Sequence, residues 1–382
     1  MASFFERNRS VVFVGVATAF SLLGDQALYA VLPVYYQGLG LQALEVGILL
    51  SANRWIRLLT NDLAHRMGTA SVPGVGPKAL FVGAFALGAA TTLIYGLTAS
   101  FTLLLTARLG WGLAWSFIRH LGVQAVMADA AVDRAGHTMG LYNGISRAGS
   151  VVGLLGGAVL VDVFGFATGM ICLALLSLFG LPLAAMGHRG NRALADPGSG
   201  PLPTSLKLGG FAVGIVGPGF VMSTLGAGLA GYVGTDQLLS AATLTGALLA
   251  ARYAMDAFAA AWLGGLTDRF GIRDSATVYF LVGGLALVLA AIGPQLSVFM
   301  GLLLVFFVCG TGLQAGLAGS ASRLGSGIFA RYVTVADLGA AVGPILGWLV
   351  VGWMNDPLIS LGIGGATYLL VAFGVRIKMW QG

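Results

Sequence analysis

Nine ionisable side chains stand inside long apolar stretches of this 382-residue sequence: Asp25, Arg54, Arg57, Arg108, Arg119, Arg147, Arg252, Asp256 and Asp337. In an apolar span each costs at least a few kcal/mol, so it faces a water-filled path, an opposite charge or a bound molecule. Six are Arg and three are Asp. The guanidinium fork matches carboxylate and phosphate, so the positive surplus points to an anionic or zwitterionic cargo. Asp25 lies within Gly24-Asp25-Gln26, with Tyr29 one helical turn further on. A desolvated carboxylate takes up a proton more readily. Asp25 is therefore either a proton carrier or half of a static pair with an Arg of the second or fifth span.

Spacing adds to this list. Asn53, Arg57 and Asn61 recur at i, i+4 and i+8 and share a helix face, with Arg54 beside Arg57. Such a polar stripe lines either a cavity or an interhelical seam. Arg108, Trp111, Trp115 and Arg119 follow helical spacing, and two Trp between two Arg suit a flat anionic or aromatic molecule or plain packing. Arg252 and Asp256 are i, i+4 and are expected to pair within one helix. Arg147 and Asp337 hold nearly equivalent places, each two residues before a glycine (Gly149 and Gly339), which suggests a gating ion pair. His65 and His137 read as solvated loop residues. No metal-ligand spacing, nucleophile arrangement, phosphate loop or cofactor motif is present, so an enzyme and an ATP-driven pump are disfavoured. The two cysteines, Cys172 and Cys309, fall in apolar runs and offer neither a disulfide framework nor a zinc site.

These residues are carried by a chain that is 57% hydrophobic and 9% charged, where a soluble domain has about 25% charged residues. It also holds 60 glycines, which let helices approach closely in lipid. Apolar runs punctuated by turns and charges predict twelve spans: 10–36, 43–65, 79–98, 102–126, 139–161, 167–187, 208–233, 238–262, 275–293, 297–318, 329–353 and 358–377. The first run is too long for a signal-peptide core and reads as a span. The expected fold is an all-α membrane protein: a six-helix bundle over 1–187, a cytoplasmic linker over 188–207 and a second six-helix bundle over 208–382. Alternate connections carry Arg7 and Arg9, Arg66 and Lys78, Arg134, Arg189 with Arg192 and Lys207, Arg269 and Arg273, Arg323, and Arg376 with Lys378. The opposite connections carry no Lys or Arg, so both termini are expected in the cytoplasm. The net charge of +6 is spread over these short loops, which argues against nucleic-acid binding.

The two halves are related. Gly264-Gly265-Leu266-Thr267-Asp268-Arg269-Phe270-Gly271 follows span 8, and Asn61-Asp62-Leu63-Ala64-His65-Arg66-Met67-Gly68 is a degraded copy after span 2, 203 residues earlier. Internal duplication is a transporter signature, with the substrate site between the repeats. The Gly-x-x-x-Asp-Arg-x-Gly layout of residues 264–271, and the six-plus-six plan, resemble the major facilitator superfamily over the whole chain. Leu105-x-x-Arg108-x-x-x-Gly112 in span 4 looks like that family's motif with a buried Arg. Gly339-x-x-x-Gly343-Pro344-x-x-Gly347 in span 11 looks like its Gly-Pro motif, which drug–proton antiporters carry in span 5. Span 5 here has Gly149, Gly153, Gly156 and Gly157 without the proline. Asn61 and His65 replace the expected Gly and Asp, so the cytoplasmic latch that the resemblance implies rests on Asp268 and Arg269.

The resemblance implies a monomeric secondary transporter of a small molecule, multi-pass in the cytoplasmic membrane, needing lipid and no cofactor. Asp25 is expected to couple protons; Tyr29, Asn53, Arg54, Arg57, Arg108, Trp111, Trp115 and Arg119 to bind substrate; and Arg147, Asp337, Arg252, Asp256, Asp268 and Arg269 to form gates or ion pairs. Asp25 followed by Leu32-Pro33 resembles drug–proton antiporters and favours proton-coupled export. Proton-coupled uptake, facilitated diffusion of an organic anion, and a lipid flippase are the alternatives.

Overall fold

The computed structural model describes residues 9–69, 76–128, 135–188, 200–233 and 240–377. Arg7, Arg134, Arg189, Arg192, Lys378, most of the central linker and the connection at 234–237 lie outside these residues. Among the described residues there are fifteen α-helices, one π-helical turn and no strand. In chain order the helices are α1 (Arg9–Tyr35), α2 (Ala43–Thr69), α3 (Pro77–Leu97), α4 (Phe101–Ala128), α5 (Ala135–Phe164), α6 (Phe166–Ser177) and α7 (Gly180–Gly187). They continue as α8 (Thr204–Gly214), the π turn Ile215–Val221, α9 (Met222–Ala230), α10 (Ala241–Phe258) and α11 (Ala260–Phe270). The last four are α12 (Ile272–Ala291), α13 (Leu296–Arg323), α14 (Ser326–Met354) and α15 (Leu358–Ile377).

Nine of these stretches, α6–α7 and α8–α9 each counted as one, are long and apolar enough to cross a bilayer. The remainder, α2, the α10–α11 pair and α15, are consistent with the twelve expected spans. α2 is set apart by Glu45, Arg54, Arg57, Asp62 and Arg66 within one helix. Large apolar side chains such as Leu59, Phe258, Trp353 and Leu370 point outward, which water would not tolerate over so much surface and lipid does. This is a multi-pass all-α membrane protein.

The chain divides into two compact units. One comprises Met1–Val31 and Trp55–Ala195; the other comprises Leu32–Arg54 and Asp196–Gly382. In the first unit, Val14, Ala17, Phe81, Phe85, Ile118, Leu121 and Tyr142 form an apolar core. α5 reaches α1 through small residues. Gly149 abuts Ala19, Gly153 lies where a Cβ would meet Leu23 O at 2.7 Å, and Gly157 faces Ala27. The second unit repeats the device. Gly339 abuts Phe211 O, Gly343 abuts Gly219, and Gly347 faces Phe220 and Thr224. Gly339, Gly343 and Gly347 thus do in α14 against α8 and the π turn what Gly149, Gly153 and Gly157 do in α5 against α1.

Helices run past the apolar segments at the basic side. α2 extends four residues beyond the predicted end of its span and carries His65 and Arg66 inside the helix. His65 is therefore not a solvated loop residue, and His137 likewise stands within α5. The Gly-x-x-x-Asp-Arg-x-Gly segment forms the end of α11, which stops where Gly271 takes φ +84, a backbone that glycine adopts without a Cβ penalty.

Candidate functional site

The deepest charges lie in the first unit. α1 is buried almost continuously along its middle, and Gly24 sits where any Cβ would collide with Thr92 of α3. That close approach carries Asp25 into the unit, 2% exposed. Arg108 of α4, 1% exposed, donates from Nη1 to Asp25 Oδ1 at 2.5 Å. Gln26 Nε2 donates to the other carboxylate oxygen at 3.1 Å. One turn after Asp25, the Tyr29 ring lies under the guanidinium, 5.8 Å from its centroid to Cζ. The static partner expected for Asp25 was an Arg of span 2 or 5; the partner is Arg108 of the fourth span. Arg57 is half-buried on α2, and Arg147 is exposed on α5.

Trp111 follows Arg108 on the same face of α4, 1% exposed, and stacks on Trp115 with centroids 5.5 Å apart and planes at 12°. Its indole Nε1–H is buried and meets no protein acceptor among the described residues. Arg119, placed by spacing on the same face, is exposed at the basic end of α4. Of that group the structure joins Arg108, Trp111 and Trp115 to the Asp25 site.

In the second unit two prolines expose carbonyls. Pro344 has no N–H, so Ala340 O loses its intrahelical donor. In the π turn around Pro218, Met222 N–H goes to Gly217 O, leaving Pro218 O without that donor. Arg54 takes both, through Nη1 to Ala340 O at 2.6 Å and to Pro218 O at 3.4 Å. Asn53, beside it, is buried at 2%. Arg54 thus ties α2 to the two interrupted helices. Its replacement by Met is expected to lower stability by about 1.5–3 kcal/mol, as charged hydrogen bonds are lost. Thermal unfolding in detergent measures this.

Arg252 and Asp256 do not pair. Arg252 donates to Met222 Sδ at 2.7 Å and lies over the Tyr253 ring, whereas Asp256 accepts the Thr311 hydroxyl of α13 at 2.6 Å. Helical side chains lean toward the N-terminus, so a long Arg at i leans away from an Asp at i+4. The reverse order works: Asp62 and Arg66 pair at 2.7 Å. At the basic ends, Asp268 pairs with Arg323 at 2.6 Å, and Arg269 lies over its neighbour Phe270. Asp337 is half-buried on α14, in the other unit from Arg147. Spacing missed one contact: the rings of His65 and His120 meet edge-on with centroids 5.1 Å apart. Its signal was available, because His120 precedes Arg323 by the same 203 residues that separate His65 from Asp268. Among the described residues no three His, Cys, Asp or Glu gather as metal ligands.

A helical membrane protein with repeated halves and a buried charge pair has the plan of a transporter. The sequence profile of the Major Facilitator Superfamily matches residues 14–344. The chain belongs to that superfamily, a transporter family and not an enzyme family. No curated protein matches the sequence. Among solved structures, a bacterial homologue of the human lysosomal transporter Spinster is similar in its inward-facing, occupied conformation, with TM-score 0.78 and 14% identity over 97% of this chain and 95% of that one. The same homologue in its unoccupied inward-facing conformation gives TM-score 0.72 and 14% identity over 98% and 95%. The nucleoside transporter NupG gives 0.78 and 11% identity over 97% and 100%. At these identities the likeness is one of fold.

Proposed function

We propose that this transporter moves a small organic anion together with a proton, by alternating access, with Asp25 carrying the proton and Arg108 receiving the anion. The observation that carries this reading is the buried Asp25–Arg108 ion pair. A carboxylate bound to Arg108 occupies the fork that an anionic substrate needs. Protonating Asp25 dissolves the charge pair and releases Arg108, so proton and anion favour each other's binding, a reciprocal coupling. The buried Trp111 Nε1–H, one turn from Arg108, supplies a further donor for the substrate, and the Trp111–Trp115 stack supplies a flat apolar wall.

Positive coupling of this kind sends proton and substrate the same way, which under an inward proton gradient is uptake. Export against protons requires proton and substrate to compete for one group, as a cation would compete for Asp25. The ion pair therefore favours the uptake alternative over the drug–proton exchange suggested by span 1. The basic connections support both termini in the cytoplasm.

The test is reconstitution in liposomes with an imposed pH gradient and a panel of organic anions. Anion-dependent proton entry is expected with the wild-type protein. Asp25→Asn is expected to reduce it to the background of empty liposomes; unchanged proton entry in that variant would remove Asp25 as the carrier.

A further inference from the structure

The duplicated segments after the second and eighth spans make the same helix contact with different chemistry. In the second unit α11 lies along α13. Gly264 faces Ala315, Gly316 sits where a Cβ would meet Thr267 at 3.0 Å, and Asp268 closes the contact with Arg323. In the first unit α2 lies along α4 in the same way. Thr60 and Ser116 share a hydrogen bond of 2.8 Å, Gly68 packs on Leu121 and His120, and His65 meets His120. Both partners of the histidine contact precede both partners of the ion pair by 203 residues. One half therefore holds its basic-side helix ends together with opposite fixed charges, and the other with two imidazoles.

The two chemistries answer acid differently. Asp268 and Arg323 carry opposite charges that attract. Two apposed imidazoles are compatible when at most one is charged, and repel when both are. Arg119 is adjacent to His120 on α4 and adds positive charge, while the acid on α2, Asp62, is already paired with Arg66. Gln124 contacts His120 Nε2 at 3.0 Å and brings no charge. α3 meets this stretch with Phe81 and Phe85, and α5 with Tyr142, whose hydroxyl reaches Thr18. The fourth histidine, His188, lies against Phe81 of this core.

We infer that His65 and His120 form a proton-responsive contact that holds α2 to α4 at neutral pH and loosens it in acid, while the equivalent Asp268–Arg323 contact stays closed. The sign follows from linkage. Charging the second imidazole is less favourable in the contact than in isolated side chains. The contact is therefore present while at most one imidazole is charged and is lost as pH falls far enough to charge both. This holds whatever the substrate, and it concerns a different site from Asp25.

Histidine-labelled protein in nanodiscs tests it by NMR, since the chain has only 4 histidines, with His137 and His188 as internal references. In the wild type, His65 and His120 are expected to titrate with midpoints separated by about one pH unit or more, as strongly interacting sites do. His120→Asn is expected to return His65 to a single ordinary midpoint. Independent midpoints near 6.5 in the wild type overturn the proposal, and that measurement decides even if the variant does not fold. Spin labels at Asn61 and Ala128, with Cys172 and Cys309 replaced by Ala, read the helix separation. It is expected to grow as pH is lowered from 8 until both imidazoles are charged, and not in H65D/H120R, which copies the ion pair of the other half. A wild-type separation unchanged by pH overturns the proposal.

Discussion

Arg108→Leu is expected to cost about 3–5 kcal/mol of stability and to abolish transport. The stability loss is that of breaking a buried ion pair by removing one partner, which leaves the other charge uncompensated. Here the survivor is Asp25, 2% exposed, with the neutral amide of Gln26 on one of its oxygens. Removing both charges, as Asp25→Asn with Arg108→Leu, is expected to recover most of the stability, because a neutral buried pair is often no worse than an ionic one. It is not expected to recover proton-coupled anion uptake. Thermal unfolding in detergent and liposome uptake separate the two effects. A double variant as unstable as Arg108→Leu would show that the cost lies in packing and not in the orphaned charge.

The second large effect belongs to the helix seam of the other unit. Gly343→Val is expected to destabilise by about 1–3 kcal/mol or more, as overpacking does where the neighbours cannot shift. The neighbours here are backbone: Gly219 of the π turn and Ile215 O. Neither can rotate away as a side chain would. Gly301→Ala is the control. It lies exposed on α13 with nothing within 4 Å of a Cβ, so it is expected to be neutral or to stabilise by about 0.5–1 kcal/mol through helix propensity. Melting temperatures of the two variants, measured side by side, check the contrast. Equal effects would mean that the glycines of α14 are not packing positions.

Much of this was legible before any coordinates. Most spans predicted from apolar runs match helices to within a few residues, the span at 238–262 falling instead on two helices that run on to Phe270, and both Asp25 and Arg108 stand out as charges in apolar stretches. Mistakes gather where polarity was read as loop. His65 falls at the polar end of a helix that leaves the apolar layer while still helical. Helices need not stop where the bilayer does, since their backbone hydrogen bonds are internal. The expected Arg252–Asp256 pair failed for a different reason. Spacing puts the two on one face but does not say which way each side chain leans.

What the sequence determined by itself is the class of solvent each residue must meet. Lipid accepts almost nothing polar, so each charge inside an apolar run declares itself without reference to its neighbours, and the duplication and helical spans follow from the same one-dimensional record. Which charge meets which was decided only by the tertiary structure. Asp25 and Arg108 are 83 residues apart in the chain, and they meet because Gly24 lets α1 approach α3 and the fold lays α4 alongside. Arg54 ends at Ala340 O, 286 residues away, because Pro344 frees that oxygen. Electrostatic pairing depends on distances of a few ångströms across helices, and those distances exist only once the helices have packed.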